Sequence, residues 1–180
     1  MRLSAYFTQH VWSRRGWVAC LLWPITLLSG SWVLLNRLLY EHGWRQSVRL
    51  PVPVLVVGNV VAGGTGKTPV VISLVQHFTA KGFRVGVIAR AYGSAQESVK
   101  EVNHHSQAAV AGDEPLLVKQ RCDVPVFVGR KRALAAQALL SAYPNTDLII
   151  SDDGMQHHAL QHDIAICVFD DRGCGNGWLL

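Results

Sequence analysis

The 180-residue chain has little charge and little sulfur. Asp, Glu, Lys and Arg make up 16% of it, against 49% apolar residues. That excludes an intrinsically disordered protein, whose composition is the reverse. Its four cysteines, Cys20, Cys122, Cys167 and Cys174, show no paired spacing. A disulfide-stapled scaffold is therefore excluded, and free, mostly buried thiols in a reducing compartment are expected. Internal repeats and low-complexity tracts are absent, leaving one ordinary domain with a small appendage. Acids are almost missing from the first fifty residues, where Glu41 stands alone against six arginines. That imbalance accounts for the whole net charge of +5, and the same segment holds five of the six tryptophans. Basic residues flanking a Trp-rich apolar stretch fit a membrane better than nucleic acid, and no nucleic-acid partner is expected.

Within that segment, residues 16–35 carry no charge, with Arg14, Arg15 and Arg37 at their borders. About twenty apolar residues is the length of a helix that crosses a bilayer. Pro24 and the Ser29-Gly30-Ser31 cluster weaken the pattern, though membrane helices tolerate both. Trp and Arg at the flanks read as interfacial anchors. Arginines on both sides assign no orientation. The run is too long for a cleaved signal peptide, and no small-x-small site follows it. Residues 1–50 are thus expected to form a membrane-associating helix with basic flanks, spanning the bilayer or lying in its interface. The plainer alternative is a buried core helix of a larger assembly.

From Val52 the pattern changes. Residues 52–57 form a short apolar run of the kind buried on both faces of a sheet. A glycine-rich turn follows, and residues 67–81 place Val70, Val71, Leu74, Val75 and Phe78 at helical spacing. Strands are expected over 84–89, 124–128, 148–150 and 164–169, helices over 114–121 and 130–142, and a polar loop over 97–111. Strands alternating with helices predict an α/β fold with a mainly parallel sheet covered on both faces, occupying residues 51–180. The Trp178-Leu179-Leu180 terminus, coming straight after a glycine-rich loop, reads as a truncation.

The strongest chemical signal is Gly58-Asn59, then Gly63-Gly64-Thr65-Gly66-Lys67-Thr68-Pro69. A strand, a glycine-rich turn and Gly-Lys-Thr opening a helix form a phosphate cradle. Its backbone N–H groups and helix dipole converge on phosphate oxygens. Lys67 would neutralise the outer phosphates and Thr68 would offer its hydroxyl to Mg²⁺. The loop is a variant, since Val61 stands where the usual first glycine belongs. The second signal is Asp152-Asp153 at the end of an apolar strand, where a nucleotide-bound Mg²⁺ finds its acidic partner. Gly112-Asp113-Glu114-Pro115 reads first as a turn entering a helix, with Asp113 as N-cap. His158 and His162 are spaced i, i+4, but no Cys or acid completes a zinc pattern.

Taken together and in order, these motifs resemble the tetraacyldisaccharide 4′-kinases of Gram-negative bacteria, the lipid A 4′-kinases. Further markers are Arg90-Ala91-Tyr92-Gly93, Asp152-Asp153-Gly154-Met155-Gln156-His157 and Arg172-Gly173 with Gly175-Asn176-Gly177. The resemblance implies a P-loop NTPase fold, a three-layer α/β/α domain preceded by the membrane helix. It implies a kinase on the cytoplasmic face of the inner membrane, using ATP and Mg²⁺. Such a kinase moves the γ-phosphoryl group onto the 4′-hydroxyl of a tetraacylated glucosamine disaccharide 1-phosphate, giving lipid IVA. Its partners would be that lipid A precursor and inner-membrane lipid. It makes Asp113 the base on the sugar hydroxyl and Asp152, with Asp153 beside it, the Mg²⁺ carboxylates. Ala91 departs from the family's usual glycine, and Gly129-Arg130-Lys131-Arg132 lacks the acid often found before the last arginine. The family runs well past 180 residues, and its catalytic histidine lies in the part beyond. A partition-type or septum-positioning ATPase is the alternative, but those carry a signature lysine where this chain has Ala62.

Overall fold

The computed structural model describes residues 17–59, 65–90, 99–155, 159–171 and 173. The chain divides into two compact units. One comprises residues 1–45, 60–65 and 169–180, and the other residues 46–59 and 66–168.

In the first unit, helix α1 runs over Trp17–Glu41. Pro24 lies inside it, and nearby hydroxyls bond back to the backbone. Thr26 Oγ1 donates to the Trp23 carbonyl at 2.6 Å and Ser29 Oγ to the Thr26 carbonyl at 3.0 Å, as Ser and Thr do in apolar helices. The helix ends on Gly43 at φ +73°, a left-handed terminator. Beyond it, the Arg45 guanidinium bonds Asn36 Oδ1 and lies over the Tyr40 ring. Leu21, Trp23, Leu28, Trp32 and Leu34 are exposed along α1. Among the described residues no helix is long and apolar enough to cross a membrane.

The second unit is a six-stranded sheet with helices on both faces. In chain order it contains β1 (Val54–Asn59), α2 (Lys67–Ala80), β2 (Val85–Ala89), β3 (Lys100–Val102), α3 (Ala108–Ala111), α4 (Asp113–Cys122), β4 (Val126–Val128), α5 (Arg132–Ala142), β5 (Leu148–Asp152) and β6 (Ile164–Val168). The strand order is β3-β4-β2-β5-β1-β6. All pairs are parallel except β3 on β4. Period-two alternation splits each apolar strand between the two faces. Leu55, Val57 and Val87 pack with Val71 and Val75 of α2 and Val118 of α4, while Val54, Val56, Ile88 and Ile149 pack with Ala135, Ala136 and Leu139 of α5. Gly86 admits this second layer closely, since a Cβ there would stand 2.7 Å from Leu139 Cδ2.

Three expectations are corrected. The segment read as a polar loop contains β3 and α3. It escaped notice because an edge strand needs only one inward apolar residue, here the buried Val102. The N-cap of α4 is Gly112, not Asp113. Gly112 sits at φ +89°, open to glycine alone, and its carbonyl accepts the Leu116 N–H, which moves Asp113 into the first turn. The described free thiols, Cys122 and Cys167, are half-buried rather than buried.

Candidate active site

The parallel register sets β1 and β5 side by side, with Val57 opposite Asp152. Their carboxyl ends therefore open together, where an α/β sheet binds its ligands. Near the end of β1 stands Gly58, whose missing Cβ matters: one there would fall 2.5 Å from Met155 Cγ. The chain re-enters at Gly66, at φ +77°, which caps α2. Lys67, the first residue of that helix, is only 16% exposed at its side chain. Its Nζ donates to Asn59 Oδ1 at 2.7 Å and stands 3.4 Å from Asp153 Oδ1. Thr68 and Thr65 are buried. Gly63 and Gly64 lie outside the described residues, as do His157 and His158. His162 is exposed.

The acid turn at the end of β5 is strained and tightly held. Asp153 has φ +55°, a left-handed conformation that costs a non-glycine residue roughly 1 kcal/mol. Its N–H donates to the Val57 carbonyl at 2.8 Å. Gly154 permits the reversal, because a Cβ there would meet Ser151 Oγ at 2.5 Å. Asp152 is 3% exposed, and its Oδ1 is buried without a hydrogen-bond partner. Its carboxyl is raised to about 6, by burial first and then by the negative charge of Glu114, with Lys67 pulling the other way.

Asp113 and Glu114 occupy the first turn of α4, where the helix dipole favours acids. A cavity of about 430 Å³ joins them to Asp152, Asp153 and Arg90. Lys67, Asp152 and Asp153 are thus in mutual reach, and Asp113 faces the same cavity as the two acids. Sequence reading gave no role to Asn59, the hydrogen-bond partner of Lys67, or to Glu114, which acts on Asp152 through space. Asn59 carried a signal, its place at the carboxyl end of the strand; Glu114 carried none.

The donor set fits a hard divalent cation. Asp152 has a dry, unpartnered carboxylate oxygen beside a second carboxylate, and oxygen donors are what Mg²⁺ takes. Among the described residues no group of three or more His, Cys, Asp or Glu side chains could cage a metal. Mg²⁺ sites commonly use one or two carboxylates and complete the shell with water and substrate phosphates.

Comparison with known proteins gives a consistent answer. The family model described as LpxK, tetraacyldisaccharide-1-P 4′-kinase, matches residues 18–180. A protein of Polaromonas sp. (strain JS666) called tetraacyldisaccharide 4′-kinase is 54% identical over 171 residues, covering 95% of this chain and 51% of its own length. One of the same name from Herminiimonas arsenicoxydans is 50% identical over 174 residues, covering 97% of this chain and 49% of its own. The chain therefore spans about half the length of the curated relatives it matches. The crystal structure of "apo" form LpxK from Aquifex aeolicus in complex with ATP superposes with a TM-score of 0.70 at 28% identity, over 87% of this chain and 53% of that one. Nothing found supports the partition-type ATPase.

Proposed function

Since this chain belongs to the tetraacyldisaccharide-1-P 4′-kinase family, we propose that it carries the ATP-binding part of a membrane-associated P-loop kinase acting on the 4′-hydroxyl of an acylated disaccharide 1-phosphate. The observation that carries the reading is the convergence of Lys67, Asp152 and Asp153 at the ends of β1 and β5, with Asp113 on the same cavity. The turn at Gly66 and the start of α2 receive the phosphates, and Lys67 brings a cation to the β- and γ-phosphoryl groups. Asn59 and Asp153 hold its ammonium between the ends of β1 and β5. Asp152, Asp153 and the Thr68 hydroxyl are the groups that would hold Mg²⁺, which when bound neutralises charge on the transferring phosphate.

Asp113 is exposed and opens α4 at the cavity wall. It accepts the proton of the acceptor hydroxyl as that oxygen bonds to the γ-phosphorus. The bond from the γ-phosphorus to the β–γ bridging oxygen breaks, and ADP leaves with that electron pair. The exposed tryptophans and leucines of α1, with the arginines around them, bring the enzyme to anionic lipid on the cytoplasmic face of the inner membrane. There the acceptor, a lipid A precursor, is available. In this division residues 1–50 serve the membrane and residues 51–180 the nucleotide.

The test follows label from [γ-³²P]ATP in the presence of acylated disaccharide 1-phosphate, alongside nucleotide binding by the chain itself. The reading requires MgATP binding that is lost in Lys67→Ala, and label in the lipid fraction when the intact protein is supplied. Hydrolysis to inorganic phosphate without lipid labelling sinks it.

A further inference from the structure

The basic triplet Arg130-Lys131-Arg132 divides sharply. Arg130 and Lys131 are exposed, whereas Arg132 is 2% exposed. A buried guanidinium is costly unless its donors are satisfied, and a well-packed apolar side chain would fill the same space at less expense. Its partners are therefore informative. Arg132 Nη2 donates to the Asp152 carbonyl at 3.2 Å and to the Asp153 carbonyl at 3.0 Å. Arg132 opens α5, just after β4, and the strand order β4-β2-β5 means that its side chain crosses the end of β2 to reach the acid turn. From the opposite side, the Val57 carbonyl takes the Asp153 N–H. The left-handed Asp153 is thus pinned between β1 and α5, and strained conformations persist only where the surroundings over-determine them.

We propose that Arg132 is a positioning residue, whose grip on the two carbonyls of the acid turn holds the Asp152 and Asp153 carboxylates where Mg²⁺ is taken up with the nucleotide. The inference deepens the kinase reading and rests on it. Arg132 bonds the backbone of the turn, and its charge favours the ionised Asp152 carboxylate; the planar fork that grips the carbonyls is what sets the direction in which the carboxylates point. Outer-sphere partners of this kind are worth about 10–100-fold in metal affinity.

The experiment measures binding of a fluorescent ATP analogue to the chain with Mg²⁺ and again with EDTA. The variants are Arg132→Lys, which keeps the charge but loses the planar fork, and Arg132→Met, which fills the space without a donor. Thermal melts in EDTA establish that each is folded. Both variants should lose about tenfold of the Mg²⁺-dependent tightening while binding metal-free nucleotide as the unaltered chain does. Where Arg132→Met does not fold, Arg132→Lys decides alone. A folded Arg132→Lys with the full Mg²⁺-dependent gain overturns the inference. So does equal weakening with and without metal, the mark of a merely structural residue. If the unaltered chain binds no nucleotide in either condition, the kinase reading falls and the inference with it.

Discussion

Replacing Asp152 by Asn should stabilise the metal-free protein at neutral pH while removing its response to MgATP. The carboxyl is buried and raised from 3.8 to about 6. Between those two values the folded chain holds a proton that the unfolded chain has released, so stability falls as pH rises through this window. The penalty is absent below pH 4 and complete above pH 6. A shift of that size corresponds to roughly 3 kcal/mol. Asn is a neutral near-isostere and does not ionise. The variant should therefore gain up to about 3 kcal/mol over the parent at pH 7.5 and nothing at pH 4, or ~6–12 °C in Tm for a chain of this size. Both proteins are melted in EDTA at the two pH values, and the quantity read is the difference between them. A difference that is the same at both pH values, or an Asn variant less stable at pH 7.5, refutes the reasoning. Adding MgATP should raise the Tm of the parent well above its EDTA value and move the variant far less.

Lys67→Ala should weaken MgATP binding at least about tenfold, read by titration of a fluorescent analogue, because a full positive charge leaves the phosphates. Asp113→Ala in the intact protein should abolish label transfer while leaving MgATP affinity unchanged. With Gly112 as the N-cap, it should cost less than about 1 kcal/mol in denaturant melts, the scale of a dipole contribution in the first turn; a larger loss restores the capping role. Deleting residues 1–44 should move the protein from the membrane to the soluble fraction, and pelleting that persists in high salt places the anchor elsewhere.

The sheet was legible because β1, β2 and β5 are buried on both faces and so read as unbroken apolar runs. The phosphate loop was legible because glycine, lysine and threonine are required there at fixed places. What escaped was carried by single residues in polar surroundings. β3 shows one inward side chain, Val102, and no alternation can be read from that. Gly112 became the cap because it alone tolerates φ +89°, whereas Asp113, the residue with a capping side chain, lies one place later. Arg132 looks like any surface arginine beside Arg130 and Lys131. Only the strand order shows that it spans β2 to the end of β5.

The chain contains two methionines, Met1 and Met155. The second lies so near Gly58 that no Cβ fits between them, and it immediately follows the turn that carries Asp152 and Asp153. Labelling with ¹³C-methyl methionine would give a spectrum of two resonances, one of them a resident reporter between the strand that leads into the glycine loop and the acid turn. Nucleotide, divalent ion and acceptor could then be titrated separately against the same signal, with no dye attached and no side chain replaced.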